Sequence, residues 1–251
     1  MYFSNLDLQS EYIITSRINV KSMPDRNVNV GAVSRRQGGK YLGNEFGNKT
    51  ISIEGYIKAP TASGLLGLVD EFQRYLALPE QPLSIDTGRT YIVTCTKCEI
   101  SELNYTQSLV PFTVDFITVD PFALGSSLTA EFYIPSSVLS LTVPFTVSGV
   151  VYSEPTITFT TVSGAGDSGV RAITVSHINS GYEVNISGIF SKGVSSVFDF
   201  DNHLVTVSGI LKDFIGAFSR FDIGSNSLLI TVSGNNNYGI RGAISYRPRY
   251  F

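Results

Sequence analysis

The chain has no tryptophan, and it has only two cysteines and two histidines among its 251 residues. Each shortage removes a class of chemistry. Sugar-cleaving sites flank paired carboxylates with stacked aromatics. Here neither Glu99 with Glu102 nor Asp115 with Asp120 has such a platform, so both pairs read as solvated or interface groups. His203 sits in the turn-like run Asp201-Asn202-His203, and His177 closes a strand-like run ahead of Asn179-Ser180-Gly181. Neither has a serine or cysteine nucleophile and an orienting acid placed by any recognisable motif. Close Asp, Glu and His clusters are also lacking, so no catalytic residue, metal or cofactor is expected.

Charge is scarce too. The charged fraction is 16% and the formal net charge is −3, which offers neither a basic nucleic-acid footprint nor an acidic tail. The densest basic spots, Arg35, Arg36 and Lys40, then Arg247 and Arg249, are too small for a nucleic-acid site. No apolar run approaches the ~18–20 residues that span a bilayer, so no membrane insertion is expected. Residues 1–10 lack the basic head and apolar run of a secretory signal, which points to assembly in a cytoplasm. The Asn-x-Ser/Thr triplets at Asn48, Asn104 and Asn185 are then incidental.

Cys95 and Cys98 form a C-x-x-C inside residues 91–100, YIVTCTKCEI, whose alternation reads as a strand. In an uninterrupted strand three residues span roughly 10 Å and place the two side chains on opposite faces. That geometry predicts two unpaired thiols, since a disulfide needs Cα atoms within about 7 Å. Residues 164–169, GAGDSG, satisfy G-x-G-x-x-G, but an alternating strand follows rather than the helix a dinucleotide site requires. The expectation is a hairpin loop.

What the sequence does contain is alternation. Residues 35–57, RRQGGKYLGNEFGNKTISIEGYI, pass from a glycine-punctuated polar loop into a strand with Ile51, Ile53 and Ile57 on one face and Ser52, Glu54 and Tyr56 on the other. The whole stretch 21–48 reads as a loop too poor in apolar groups to fold alone. One helix follows, with Ser63 as N-cap and a stripe of Leu65, Leu68, Val69, Phe72, Tyr75 and Leu76, closed by Pro79. Residues 110–122, VPFTVDFITVDPF, alternate and stop at an Asp-Pro turn and an aromatic. Beyond Pro121 lysine and arginine thin out, and a Val/Ile-Ser-Gly phrase recurs at Val147, Val162, Ile186, Val207 and Val232. Each occurrence reads as a strand end, which predicts an antiparallel β-sandwich of roughly eight strands. The boundary is placed in residues 124–131, giving an N-terminal domain 1–125 and a C-terminal domain 126–251.

The R-x-G-G loop, the I-x-I-x-G-x-I strand at residues 51–57, the short helix and the terminal D-P-F, in this order, resemble the N-terminal half of siphovirus distal tail proteins. Residues 198–209, FDFDNHLVTVSG, and 218–234, with Gly224-Ser225-Asn226 and Phe221 where leucine is usual, resemble their C-terminal half. The closing arginines and aromatics of residues 244–250 fit as well. The resemblance implies a mostly β chain in which a ring-forming β domain with one amphipathic helix precedes a galectin-like antiparallel β-sandwich.

It further implies a structural subunit of a hexameric ring at the distal end of a phage tail. The ring's partners are the tail tube protein, the tail-tip hub or tail-associated protein, the tape measure protein and receptor-binding proteins, and DNA passes only through the lumen. Ring contacts are assigned to Arg35, Arg36, Gly38, Gly39, Tyr41 and Phe46. Apolar residues near both ends of the sequence, Tyr2 and Phe3, then Tyr246, Tyr250 and Phe251, are expected to be docked rather than frayed. The competing reading is a carbohydrate-binding sandwich for host-surface glycans, stacking sugars on exposed Tyr152, Tyr182 and Tyr238.

Overall fold

The computed structural model describes residues 1–20, 23–32, 39–86, 88–102, 108–163, 169–234 and 238–251. The chain forms two compact units, Met1–Leu124 with Tyr250–Phe251, and Gly125–Arg249. Strands dominate both, and the expected mostly β architecture, with antiparallel sheets and one helix among the described residues, is observed.

In the first unit the strands are β1 (Tyr2–Phe3), β2 (Leu6–Asp7), β3 (Ile13–Asn19), β4 (Arg26–Ala32), β5 (Gly39–Phe46) and β6 (Lys49–Lys58). After helix α1 (Ala62–Leu76) come β7 (Gln81–Asp86), β8 (Arg89–Ile100), β9 (Leu109–Thr118) and β10 (Ala123–Leu124). The main sheet runs β2-β1-β7-β8-β9-β6-β3. Ile51, Ile53 and Ile57 are buried as their alternation requires, and β9 answers from the same face with Val110, Phe112, Val114 and Phe116. Helix α1 covers this apolar face through Leu65, Val69, Phe72 and Leu76, each worth about 1.5–3 kcal/mol when fully buried. The helix starts two residues before the sequence suggests. Thr61, not Ser63, is the N-cap, and its Oγ1 accepts from the Gly64 amide at 3.2 Å.

The second unit contains β11 (Leu128–Ile134), β12 (Ser140–Val147), β13 (Thr156–Ser163), β14 (Val170–His177), β15 (Tyr182–Phe190), β16 (Ser195–Asp199), β17 (Leu204–Val207), β18 (Ile210–Leu211), β19 (Ile215–Gly216), β20 (Gly224–Gly234) and β21 (Gly239–Tyr246). Two sheets, β11-β21-β13-β16-β17-β18 and β12-β20-β14-β15-β19, sandwich a core fed by alternate residues of both, among them Phe145, Ile157, Phe159, Val175, Ile186, Phe198 and Ile230. Among the described residues the unit has eleven strands rather than roughly eight, two of them the two-residue edge strands β18 and β19.

Two local expectations fail here. The Ser-Gly after Ile186 lies inside β15, which continues to Phe190 past a register shift in its partner β14. Strands β13 and β14, expected to flank a hairpin loop, belong to different sheets and do not pair with each other. Residues 164–168 of the G-x-G-x-x-G run lie outside the described residues.

Candidate assembly interface

The stretch read as a loop is a β-ribbon. Strands β4 and β5 pair antiparallel as a sheet of their own, from Arg26↔Phe46 to Ala32↔Gly39. The residues 26–30 already alternate, with Val28 and Val30 on the face of Arg26 and Phe46 and with Asn27 and Asn29 on the other. A bulge at Leu42 interrupts the register between Asn29 and Val30. It is accommodated by glycine twice. Gly43 has φ +147°, and a Cβ on Gly31 would lie 2.8 Å from Leu42 Cδ1.

A two-stranded ribbon is marginal in water unless something covers a face. Its base is covered. The Phe46 ring meets Phe122 at 5.3 Å and Phe251 at 5.7 Å, Phe122 and Phe251 meet at 5.8 Å, and Arg26 lies over Phe46. The Gly47 amide donates to Asp25 O at 2.8 Å and ties the two strand roots together. Further out the apolar face stands open, with Val28 51% and Val30 60% exposed.

Of the ring contacts assigned from sequence, Arg35, Arg36 and Gly38 lie outside the described residues. Gly39 and Tyr41 are on β5, paired with Ala32 and Val30, and Phe46 anchors the ribbon base. Val28, Val30 and Leu42 went unassigned, although the N-V-N-V alternation of residues 27–30 was available to find the two valines.

The glycan candidates do not form a platform. Tyr238 is buried in the sandwich core at 5% exposure, which corrects the expectation that it is exposed. The side chain at this position serves packing. Tyr152 is half-buried, with the Arg220 guanidinium 4.3 Å and that of Arg249 5.6 Å from its ring centroid. Arg249 is itself held by Glu154 at 2.7 Å and Asp201 at 3.1 Å. Tyr182 alone is open, at 54% exposure.

His177 has the most elaborate environment of any titratable side chain described. It continues the inward row Ile173, Val175, His177 of β14, and Asn226 continues the inward row of β20. Asn226 Nδ2 donates to the carbonyls of Asp222 at 2.8 Å and Gly224 at 3.0 Å. Its Oδ1 therefore faces His177 Nε2 at 3.0 Å and fixes the proton there. Nδ1 is left to accept from a hydroxyl, that of Ser180 at 2.8 Å, with the Ser219 hydroxyl also within reach at 3.1 Å.

A Ser-His-Asn arrangement invites comparison with a hydrolase, but the imidazole itself is buried and packed 4.2 Å from the Phe221 ring. The network plugs one end of the sandwich core. Burial lowers the His177 pKa, against the opposing pull of Asn226 and Asp222. A depressed imidazole pKa means that the unfolded chain binds the proton first. The associated stability is present above the ordinary value of about 6.5 and is lost as pH falls through the window below it. The urea midpoint of the second unit should therefore fall between pH 7.5 and pH 5, and His177→Gln should flatten that decline.

The cysteines correct another expectation. A bulge at Thr96 pairs Cys95 with Phe116 but Cys98 with Val114, so both thiols sit on the same, core-facing side of β8. Burial raises both thiol pKa values, Cys98 to about 11 with a further push from Cys95. Both remain free thiols. At neutral pH Ellman's reagent should titrate them at least about ten-fold more slowly in the native protein than in urea, because the thiolate is the reacting form.

Lys49, unnoticed in the sequence, is buried with Nζ 3.1 Å from the Tyr91 hydroxyl, and burial lowers its pKa. His203 takes a left-handed turn conformation after Asp199, whose carboxylate caps the amides of Asp201 and Asn202. Glu99 is paired with Lys97, Asp115 accepts from Ser52, and Asp120 caps the Phe122 amide, so three of the four suspected carboxylates have a structural partner. No cluster of metal-ligating side chains is found among the described residues.

No family model and no curated protein matches the sequence. Among solved structures, the chain resembles the SPP1 Dit protein, described as a paradigm of the hub adsorption apparatus in phages infecting Gram-positive hosts. The TM-score is 0.74 at 12% identity, over 99% of this chain and 98% of that one. A chain of the phage P2 baseplate in its activated conformation with Ca aligns with TM-score 0.49 and 8% identity, over 94% of this chain and 91% of its own. The fold that the sequence resemblance implied, a β domain with one helix followed by a β-sandwich, is thus shared by this chain and SPP1 Dit.

Proposed function

We propose that this protein is a structural subunit of a bacteriophage tail, a distal tail protein that closes into a hexameric ring at the end of the tail tube. The observation that carries the reading is the likeness in fold to SPP1 Dit over nearly the whole of both chains. The ribbon supports it independently. An amphipathic two-stranded sheet with an open valine stripe is what one copy offers to a different patch on the next. A head-to-tail contact of that kind closes into a ring when its rotation divides a full turn. Each interface needs on the order of 1,000 Å² or more to persist.

The first unit forms the ring. One ring face meets the tail tube protein and the other the tail-tip hub or tail-associated protein. Receptor-binding proteins attach to the assembly, and the tape measure protein and then DNA pass through the lumen. The work is geometric and needs no turnover. The site is the distal end of the virion tail, assembled in the host cytoplasm. Glycan binding is left with Tyr182 alone as an open stacking residue, which does not favour it.

Light scattering of the purified chain, with negative-stain images of the same fraction, tests the proposal. Six chains of 27.3 kDa with an open centre are expected. A particle that stays monomeric at high concentration, and also when mixed with its own tail tube, would overturn it.

A further inference from the structure

The three-ring clasp at the ribbon root suggests a role for two residues that the ring contacts did not include. We infer that Phe122 and Phe251 are positioning residues for the interface ribbon: they grip Phe46 and so aim the Val28–Val30 stripe at a second copy of this chain. The inference rests on the ring reading for its purpose but not for its geometry.

The physical argument starts from what the ribbon lacks. As a sheet of its own, β4–β5 gains no ladder hydrogen bonds from the main sheet among the described residues, and a lone pair of strands is marginal. Its direction must come from side chains at its root. Phe46 is the last residue of β5 and shares a face with Val28 and Val30, so fixing the plane of its ring fixes the face on which the valines stand.

Phe122 is presented by the Asp120 turn, where the Asp120 carboxylate accepts from the Phe122 amide at 3.1 Å. It is buried, and it meets Phe46 nearly edge-on at 78°. The D-P-F stop noted in the sequence thus has a mechanical task, to hold a ring against the ribbon. Phe251 closes the triangle from the other end of the sequence. Its neighbour Tyr250 is held under the Arg89 guanidinium at 4.4 Å, which keeps the segment on the first unit.

Phe251→Ala is the informative variant, because Phe251 is only half-buried and its loss leaves the core of the unit intact. Hydrogen exchange and light scattering are measured together on the full chain. The ribbon amides of β4 and β5 should exchange about ten-fold faster or more, as loss of two ring contacts implies. Amides of β6, β9 and the sandwich should be unchanged, and the ring population should fall. Phe251→Tyr, which keeps the ring face, should restore both readings.

Unchanged ribbon exchange in Phe251→Ala would overturn the inference, whether or not rings form. Faster exchange with undiminished ring formation would overturn the aiming role as well. If the unaltered chain makes no ring, alone or mixed with its own tail tube, the ring reading fails alone. The exchange comparison on the monomer then still decides whether Phe251 grips the ribbon.

Discussion

Val28→Asp combined with Val30→Asp should abolish the ring while leaving the fold untouched. Both side chains are more than half exposed in the free subunit, so the charges cost little there. In the assembled ring the same positions would be covered. Each substitution then forfeits about 1–1.5 kcal/mol of apolar burial and adds a carboxylate that must be dehydrated. A combined loss of at least about 3 kcal/mol per interface weakens each contact by roughly 100-fold, and a closed ring suffers that loss at every joint. The expected readings are a monomeric mass by light scattering, an unchanged melting profile and an unchanged far-UV spectrum. Asn27→Asp with Asn29→Asp, on the opposite face of the same strand, serves as the control and should retain the ring. Rings of normal stability in the valine double variant would remove the ribbon from the interface.

Much of the first unit is legible because β6 and β9 pair and obey the period of two without interruption. Ile51, Ile53 and Ile57 could be placed on the buried face from spacing alone, and the helix stripe likewise. The misplaced cysteine has a local cause. Counting faces assumes that a strand does not bulge, and one bulge at Thr96 moved Cys98 onto the face of Cys95. The ribbon was missed because asparagine and glycine are punctuation in most sequences, whereas here they form the polar face and the bulge of a strand pair.

Pairing between distant segments was beyond local pattern altogether. Nothing near residue 164 says that β13 and β14 join different sheets, and nothing near Asp120 says that Phe122 will meet Phe46 and Phe251. Tyr238 illustrates the same limit. A tyrosine after a Gly-Asn-rich run looks like a loop residue, yet it opens onto the core beside β21.

Phe221→Ala should cost the sandwich about 3–5 kcal/mol, the range for emptying a fully buried aromatic site. The Phe221 ring is completely buried at the end of the core, 5.4 Å from Phe145, 5.1 Å from Phe200 and 4.2 Å from the His177 imidazole. Its backbone bridges Ser153 in both directions, which prevents the segment from collapsing into the vacancy. The cavity would also open beside the His177–Asn226 network, whose buried polar atoms are tolerable only while every one is bonded. For a unit of this size the melting temperature should drop by roughly 10–20 °C. Phe221→Leu, the residue usual at this position in the distal tail proteins that the sequence resembles, fills more of the space and should cost about 1–2 kcal/mol. Differential scanning calorimetry of the full chain reads both. The transition of the first unit should stay in place in each variant, since its core is built from its own strands and helix. A Phe221→Ala protein that melts within about 2 °C of the parent would mean that Phe145, Phe200 and His177 close over the site, and that the end of the sandwich is softer than its packing suggests.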